Sequence, residues 1–209
     1  MRHPSKAKPI IDLSARPVRF QGSKLAQRAL RLLGWRVRFD GLPAKQGVIV
    51  VYPHTSNWDF IVGVLFKWAF GLPVRFWGKD SLFSHPLLGR WMRSIGGVAV
   101  NRSAPHGIVG DTVRQINEAY RADELFWLVI APEGTRALTE GWRSGFYRVA
   151  HEAKVPVGLA TMDYVRREIT LTEFVELSGN RTRDMALIAE RMVRAHGLHP
   201  QNAAPIRLI

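Results

Sequence analysis

One histidine and one aspartate stand where acid–base chemistry is feasible. His54 follows a run of β-branched residues, Gly47-Val-Ile-Val-Val-Tyr52, and Asp59 comes five residues later at the opening of a helical pattern. On one continuous helix that spacing would separate the two side chains by ~140° around the axis. Across a strand-to-helix turn they converge. A carboxylate on one imidazole nitrogen fixes the tautomer and leaves the other nitrogen as a general base. The same stretch also fits a purely structural pattern. Ser56-Asn-Trp-Asp59 has the spacing of a capping box, with Ser56 as a helix cap beside the site and Asp59 serving the helix dipole. The two readings are compatible, because a capping Ser56 still leaves Asp59 able to orient His54.

A second polar cluster, Pro132-Glu-Gly-Thr-Arg136, follows the apolar run Leu125-Phe-Trp-Leu-Val-Ile130. Glu133, Thr135 and Arg136 place a carboxylate, a hydroxyl and a guanidinium around a turn at Gly134. Arginine suits planar recognition of phosphate or carboxylate, whereas a local Glu133–Arg136 ion pair would make the cluster merely a polar turn. Lys79 and Arg102 also follow short strand-like runs. On one sheet edge they would form a cationic pocket near His54; separately, each is an ordinary surface charge.

The elements that must position these groups alternate. Strands are expected at 47–52, 74–77, 98–100, 125–130, 155–160 and 168–174. Helices are expected at 59–70, 81–95, 107–121, 144–153 and 182–196. This rhythm predicts an α/β fold, with a largely parallel central sheet flanked by helices and an N-terminal basic amphipathic helix. In such sheets, chemistry sits beyond the carboxyl ends of the strands, where both polar clusters fall.

The chain has 209 residues, suited to one domain. Absence of cysteine excludes disulfides, thiol catalysis and thiolate metal sites, and no metal is expected. Net charge is +13, and residues 1–38 carry ten Lys/Arg against one acid, Asp12. Residues 1–22 read as a flexible basic tail. Residues 23–34 read as an amphipathic membrane-docking helix with a stripe of Leu25, Ala29, Leu32 and Leu33, flanked by Trp35; residues 35–209 form the α/β domain. The bland alternative for 23–34 is a helix packed on the body with a solvated basic face. Apolar stretches are too short to span a bilayer and no secretory signal is evident, so a cytoplasmic, peripheral location is expected. A nucleic-acid partner is not expected, since the charge is concentrated in one arm and most tryptophans lie in apolar elements. A serine hydrolase lacks its G-x-S-x-G elbow, and nucleotide-binding fingerprints are missing.

Taken in order, His54-xxxx-Asp59, Gly96-Gly-Val-Ala-Val-Asn-Arg102, Pro132-Glu-Gly-Thr-Arg136 and Val155-Pro-Val157 resemble the glycerolipid acyltransferase family over roughly residues 35–175. The resemblance implies that His54 takes a proton from an acceptor hydroxyl, oriented by Asp59, and that the oxygen attacks an acyl thioester without an acyl-enzyme. It implies that Lys79 and Arg102 bind the acceptor's phosphate, that Glu133, Gly134, Thr135 and Arg136 shape the acceptor site and hold its loop, and that Val155–Val157 lies on the donor side. Acyl-CoA or acyl carrier protein would be the donor, a lyso-lipid such as 1-acylglycerol-3-phosphate the acceptor, and an anionic membrane the docking surface, with no further cofactor. Pro53, Ala131 and Gly158-Leu159 depart from the family's usual residues and leave open a different acceptor, such as a lyso-aminolipid. A non-catalytic lipid-binding relative is the remaining alternative.

Overall fold

The computed structural model describes residues 17–100 and 105–209. Short runs of β-branched and aromatic residues pair into one seven-stranded sheet: β1 (Arg36–Phe39), β2 (Gln46–Tyr52), β3 (Val74–Lys79), β4 (Gly97–Val100), β5 (Phe126–Ile130), β6 (Val157–Asp163) and β7 (Glu168–Val175). Their order is β1-β7-β6-β2-β5-β3-β4. Strands β2 to β6 run parallel, while β7 is antiparallel to β6 and carries β1 parallel to itself. Central β2 is buried along nearly its whole length, as its uninterrupted apolar sequence requires.

Alternate residues of β2 and β5 feed two cores. Val48, Val50 and Leu128 face one side with Trp142 and Phe146; Ile49 and Trp127 face the other with Phe66 and Phe174. The first side is covered by α5 (Pro105–Arg121), α6 (Gly145–Ala153) and α7 (Arg181–Met192). The second is covered by α1 (Lys24–Leu32), α2 (Trp58–Phe70), α3 (Ser81–Ser84) and α4 (Pro86–Ser94).

The structure departs from the sequence reading in four places. The helix expected over 81–95 is two helices. Pro86 has no N–H to continue α3, so His85 turns extended (φ −77°, ψ 127°) and caps α4 through an Nδ1 that accepts from Leu88 N–H at 3.4 Å. Helix α7 stops at Met192, short of the expected 196. Strand β1 was not expected, because Arg36 and Arg38 interrupt its apolar residues at the sheet edge. The flexible tail expected over 1–22 lies outside the described residues up to 16, and from 17 it rests on the body. There Val18 and Leu42 exchange backbone hydrogen bonds of 2.8 and 2.9 Å, and Val18 and Phe20 pack against the second core.

Helix α1 packs on the body through residues outside the expected stripe. Ala26 and Leu30 are buried against α2, and Gln27 donates a side-chain hydrogen bond to the Ala69 carbonyl at 2.8 Å. Leu25 and Leu32, from the expected stripe, point outward at 75% and 88% exposure.

The turn after α2 depends on one glycine. Gly71 closes the helix at φ +63°, and a Cβ there would meet the Gln21 carbonyl oxygen at 2.3 Å. Gly71→Ala is therefore expected to lose about 1–3 kcal/mol, read as a lower urea midpoint with unchanged slope, by straining the left-handed residue and displacing the segment around Gln21.

Candidate active site

Parallel register places three loops together. Val50 of β2 pairs with Ile130 of β5, and Tyr52 pairs with Thr161 of β6. The segments after Tyr52, Ile130 and Asp163 therefore leave the same edge of the sheet side by side. His54, Glu133 and Tyr164 occupy those segments.

Asp59 organises the site. It sits in the first turn of α2, 4% exposed. Its Oδ2 accepts from Thr55 N–H at 2.8 Å, from Ser56 N–H at 2.9 Å and from His54 Nδ1 at 3.2 Å. Its Oδ1 accepts from the Tyr164 hydroxyl at 2.7 Å. Burial works to raise the Asp59 carboxyl, but the hydrogen bonds from His54, Tyr164 and the Ser56 backbone, with the His54 charge, hold it below the usual carboxylate range. Asp59 is therefore an anion that fixes the His54 ring through Nδ1, leaving Nε2 for proton transfer. The His54 side chain keeps 19% exposure, so the ring is neither sealed in the core nor free in solvent.

The capping-box reading of 56–59 is realised only in part, since α2 has Asn57 at its N-cap and Ser56 stands one residue before it. The Asp59 carboxylate on Ser56 N–H is the returning half of a capping box. Ser56 Oγ, however, accepts from Trp58 N–H at 3.1 Å and not from the third residue, so the loop closes as a tighter turn.

Glu133 has a scaffolding task. It is 1% exposed, with Oε2 accepting from His54 N–H at 2.6 Å and Oε1 accepting from Ala204 N–H at 2.9 Å. Burial pushes its carboxyl up to about 7. The Ala204 and His54 backbone donors and the His54 charge pull the other way, and the Asp59 charge adds to the rise. Both Glu133 oxygens are taken by backbone donors, and through them it holds the loop around His54. Thr55, on the other side of His54, accepts from His199 N–H through Oγ1 at 3.2 Å, so residues 199–204 strap the His54 loop from both sides.

The other expected site residues lie nearby. Gly134 turns the loop at φ +70°, and Thr135 and Arg136 are exposed beyond it. Arg143, which the sequence reading did not single out, packs over Gly134. Lys79 ends β3 in register with Val100 of β4, so the edge that Lys79 and Arg102 were expected to share exists, while Arg102 itself lies outside the described residues. Tyr164 was missed. The available signal was a tyrosine just past strand β6, but its partner Asp59 is 105 residues away in the chain.

Below the dyad, a cavity of about 190 Å³ runs between α2 and the sheet. It begins at His54 and Asp59, passes Gly63, and reaches Lys67, Leu72 and Val74, with Ile49, Val129 and Met162 among its apolar walls. Asp59, Gly63 and Lys67 are spaced four residues apart on one face of α2, which gives a depth of about 12 Å. At the far end, the Lys67 amine donates to the Ile95 carbonyl, and burial lowers its pKa. Among the described residues no cluster of side chains suits a metal ion.

The Acyltransferase family profile matches residues 35–159, more than half of the chain, and the chain belongs to that family and is an acyltransferase. Among solved structures it is similar to the 1-acyl-sn-glycerophosphate (LPA) acyltransferase PlsC from Thermotoga maritima. The TM-score is 0.51 at 19% identity, covering 82% of this chain and 75% of that one, a likeness of fold. No curated protein sequence matches it significantly.

The raised Glu133 carboxyl has a measurable consequence. A group whose native pKa lies above its unfolded value of 4.5 contributes stability that is fully present below that value and is lost as pH rises through about 7. Wild type should lose up to about 3 kcal/mol from this group between pH 4.5 and 8. Glu133→Gln, which cannot titrate, should show a flatter dependence in urea unfolding over that window; parallel curves would assign Glu133 an ordinary carboxyl.

Proposed function

We propose that this acyltransferase moves a fatty acyl group from a thioester donor, acyl-CoA or acyl carrier protein, to the free hydroxyl of a lysophospholipid, with 1-acylglycerol-3-phosphate as the acceptor and phosphatidic acid as the product. The supporting observation is the partly exposed His54 ring, held by a buried Asp59 anion at the mouth of an apolar cavity.

In this reading His54 Nε2 removes the acceptor's hydroxyl proton as the oxygen attacks the thioester carbonyl. The tetrahedral oxyanion collapses, the C–S bond breaks, and the imidazolium returns its proton to the leaving thiolate. Because a thioester is already activated, a base, an oxyanion donor and positioning suffice. Trp58 N–H is engaged by Ser56 Oγ, which leaves Asn57 N–H as the backbone donor for the oxyanion. Tyr164, whose hydroxyl is pushed up by burial and by its bond to the Asp59 charge, stays a donor throughout and keeps Asp59 from turning away from His54. Lys79, Arg102 and Arg136 supply cations for the acceptor phosphate, and Gly134 and Thr135 set the loop that carries Arg136.

The cavity under α2 receives the acyl chain, with its carbonyl at His54 and its methyl end toward Lys67. The basic N-terminal segment and α1 dock on an anionic membrane, on its cytoplasmic face; among the described residues no helix is long and apolar enough to cross one.

Mass spectrometry of products from labelled acyl donors and a panel of lyso-acceptors tests the assignment. His54→Ala should lower kcat about 10²–10⁴-fold with unchanged thermal unfolding, and unchanged turnover would reject the base. Lys79→Ala and Arg102→Ala should raise KM for the phosphorylated acceptor and leave kcat near wild type. A Cβ at Gly63 meets no atom within 4 Å, so Gly63→Leu should fold and shift the preferred donor to shorter chains. The same chain-length profile in both proteins would remove the acyl chain from this cavity.

A further inference from the structure

The chain has seven tryptophans. Trp35, Trp127 and Trp142 are buried, and Trp77 is partly buried in the body. The three exposed ones, Trp58, Trp68 and Trp91, all belong to α2 and α4. Helix α2 is apolar on both of its sides: Val62, Phe66 and Ala69 face the core, while Trp58, Ile61 and Trp68 face out. A helix that is apolar all round belongs against apolar surroundings on every side. At 13 residues α2 is too short to cross a bilayer.

Its neighbours extend the same surface. Ser23 N–H bonds the Trp68 carbonyl, which sets α1 along one flank with Leu25 and Leu32 outward. Trp91 of α4 packs edge-on against Phe60 at 6.1 Å on the other flank, with Leu87 at 78% exposure beside it. The charge is equally one-sided. Helices α1 and α4 contain no acid, but carry exposed Lys24, Arg28, Arg31, Arg90 and Arg93, and the only acid of α2 is the buried Asp59. On the opposite layer α5 and α7 expose acids such as Glu118 and Glu190, and no exposed tryptophan lies there.

We propose that the outer surface of α1, α2 and α4 is the membrane-seating face, so that α2, the helix bearing Asp59, lies in the headgroup region of an anionic bilayer with Trp58, Trp68 and Trp91 at the interface. Apolar side chains enter the acyl boundary, and the acid-free cationic rim meets lipid phosphates. The catalytic helix itself, and not the N-terminal arm alone, seats the enzyme. The inference rests on the lipid acyltransferase reading, because a lyso-lipid acceptor then reaches His54 directly from the surface on which the enzyme sits.

The test uses the full chain and vesicles of phosphatidylcholine, with and without phosphatidylglycerol, some carrying brominated acyl chains. Brominated vesicles should quench native tryptophan emission, and Trp68→Phe should remove part of that quenching. Ile61→Ser combined with Leu87→Ser should weaken vesicle binding at least tenfold, also at high salt, while turnover of a soluble short-chain donor and acceptor stays at wild type. Val193→Ser, exposed on the other layer, should bind as wild type does. Wild-type affinity in the double variant, or no bromine quenching, would overturn the proposal. Variant-sensitive vesicle binding by a wild type that acylates no lyso-lipid would uphold the face and refute the reaction.

Discussion

One buried anion holds together the loops at the carboxyl ends of the central strands. The Asp59 carboxylate ties down two loop N–H groups, the His54 ring and the Tyr164 hydroxyl. Each donor comes with a different constraint: Thr55 and Ser56 shape the exit from β2, His54 presents its imidazole, and Tyr164 belongs to the segment after β6. A charge taken so far out of water is tolerated only when its lone pairs are satisfied, so the same bonds that stabilise the fold also set the angle of the imidazole. Orientation of the His54 ring is thereby a property of the native state as a whole and not of a flexible loop.

The rest of the molecule delivers these groups to one place. Strands β5, β2 and β6 are adjacent and parallel, so their carboxyl ends coincide, and a residue just past each strand lands within hydrogen-bonding reach of its neighbours. Glu133 makes the second connection, from the segment after β5 to the backbone of His54. Trp35 stacks edge-on at 4.9 Å against Tyr164, linking the residue after α1 to the group that holds Asp59. Beneath this frame α2 has two assignments, a wall of the cavity on one side and an apolar outer surface on the other.

Much of this was legible before any coordinates. Continuous β-branched runs mark central parallel strands, so β2 and β5 were readable, and with them the loops that hold His54 and Glu133. The meeting of His54 with Asp59 was readable because a strand-to-helix turn is short enough for local sequence to describe. Tyr164 was not readable, since its meeting with Asp59 depends on the pairing of β6 with β2. Nor was the role of Glu133: a polar turn looks exposed in sequence, and its partners are backbone donors that carry no side-chain signature. In helix α1 both faces hold apolar residues, and only packing on the body decides that Ala26 and Leu30 turn inward and Leu25 and Leu32 outward. In the 81–95 segment the apolar periodicity outweighed the Pro86 signal that in fact divides it.

The strap formed by residues 199–204 sets an order of events during synthesis. Thr55 and Glu133 emerge from the ribosome long before His199 and Ala204, the residues whose N–H groups they accept. Until residues 199–204 have emerged, these two backbone partners are missing. The loop around His54 is therefore closed only once a segment 144 residues beyond Thr55 has been made and has folded back over it.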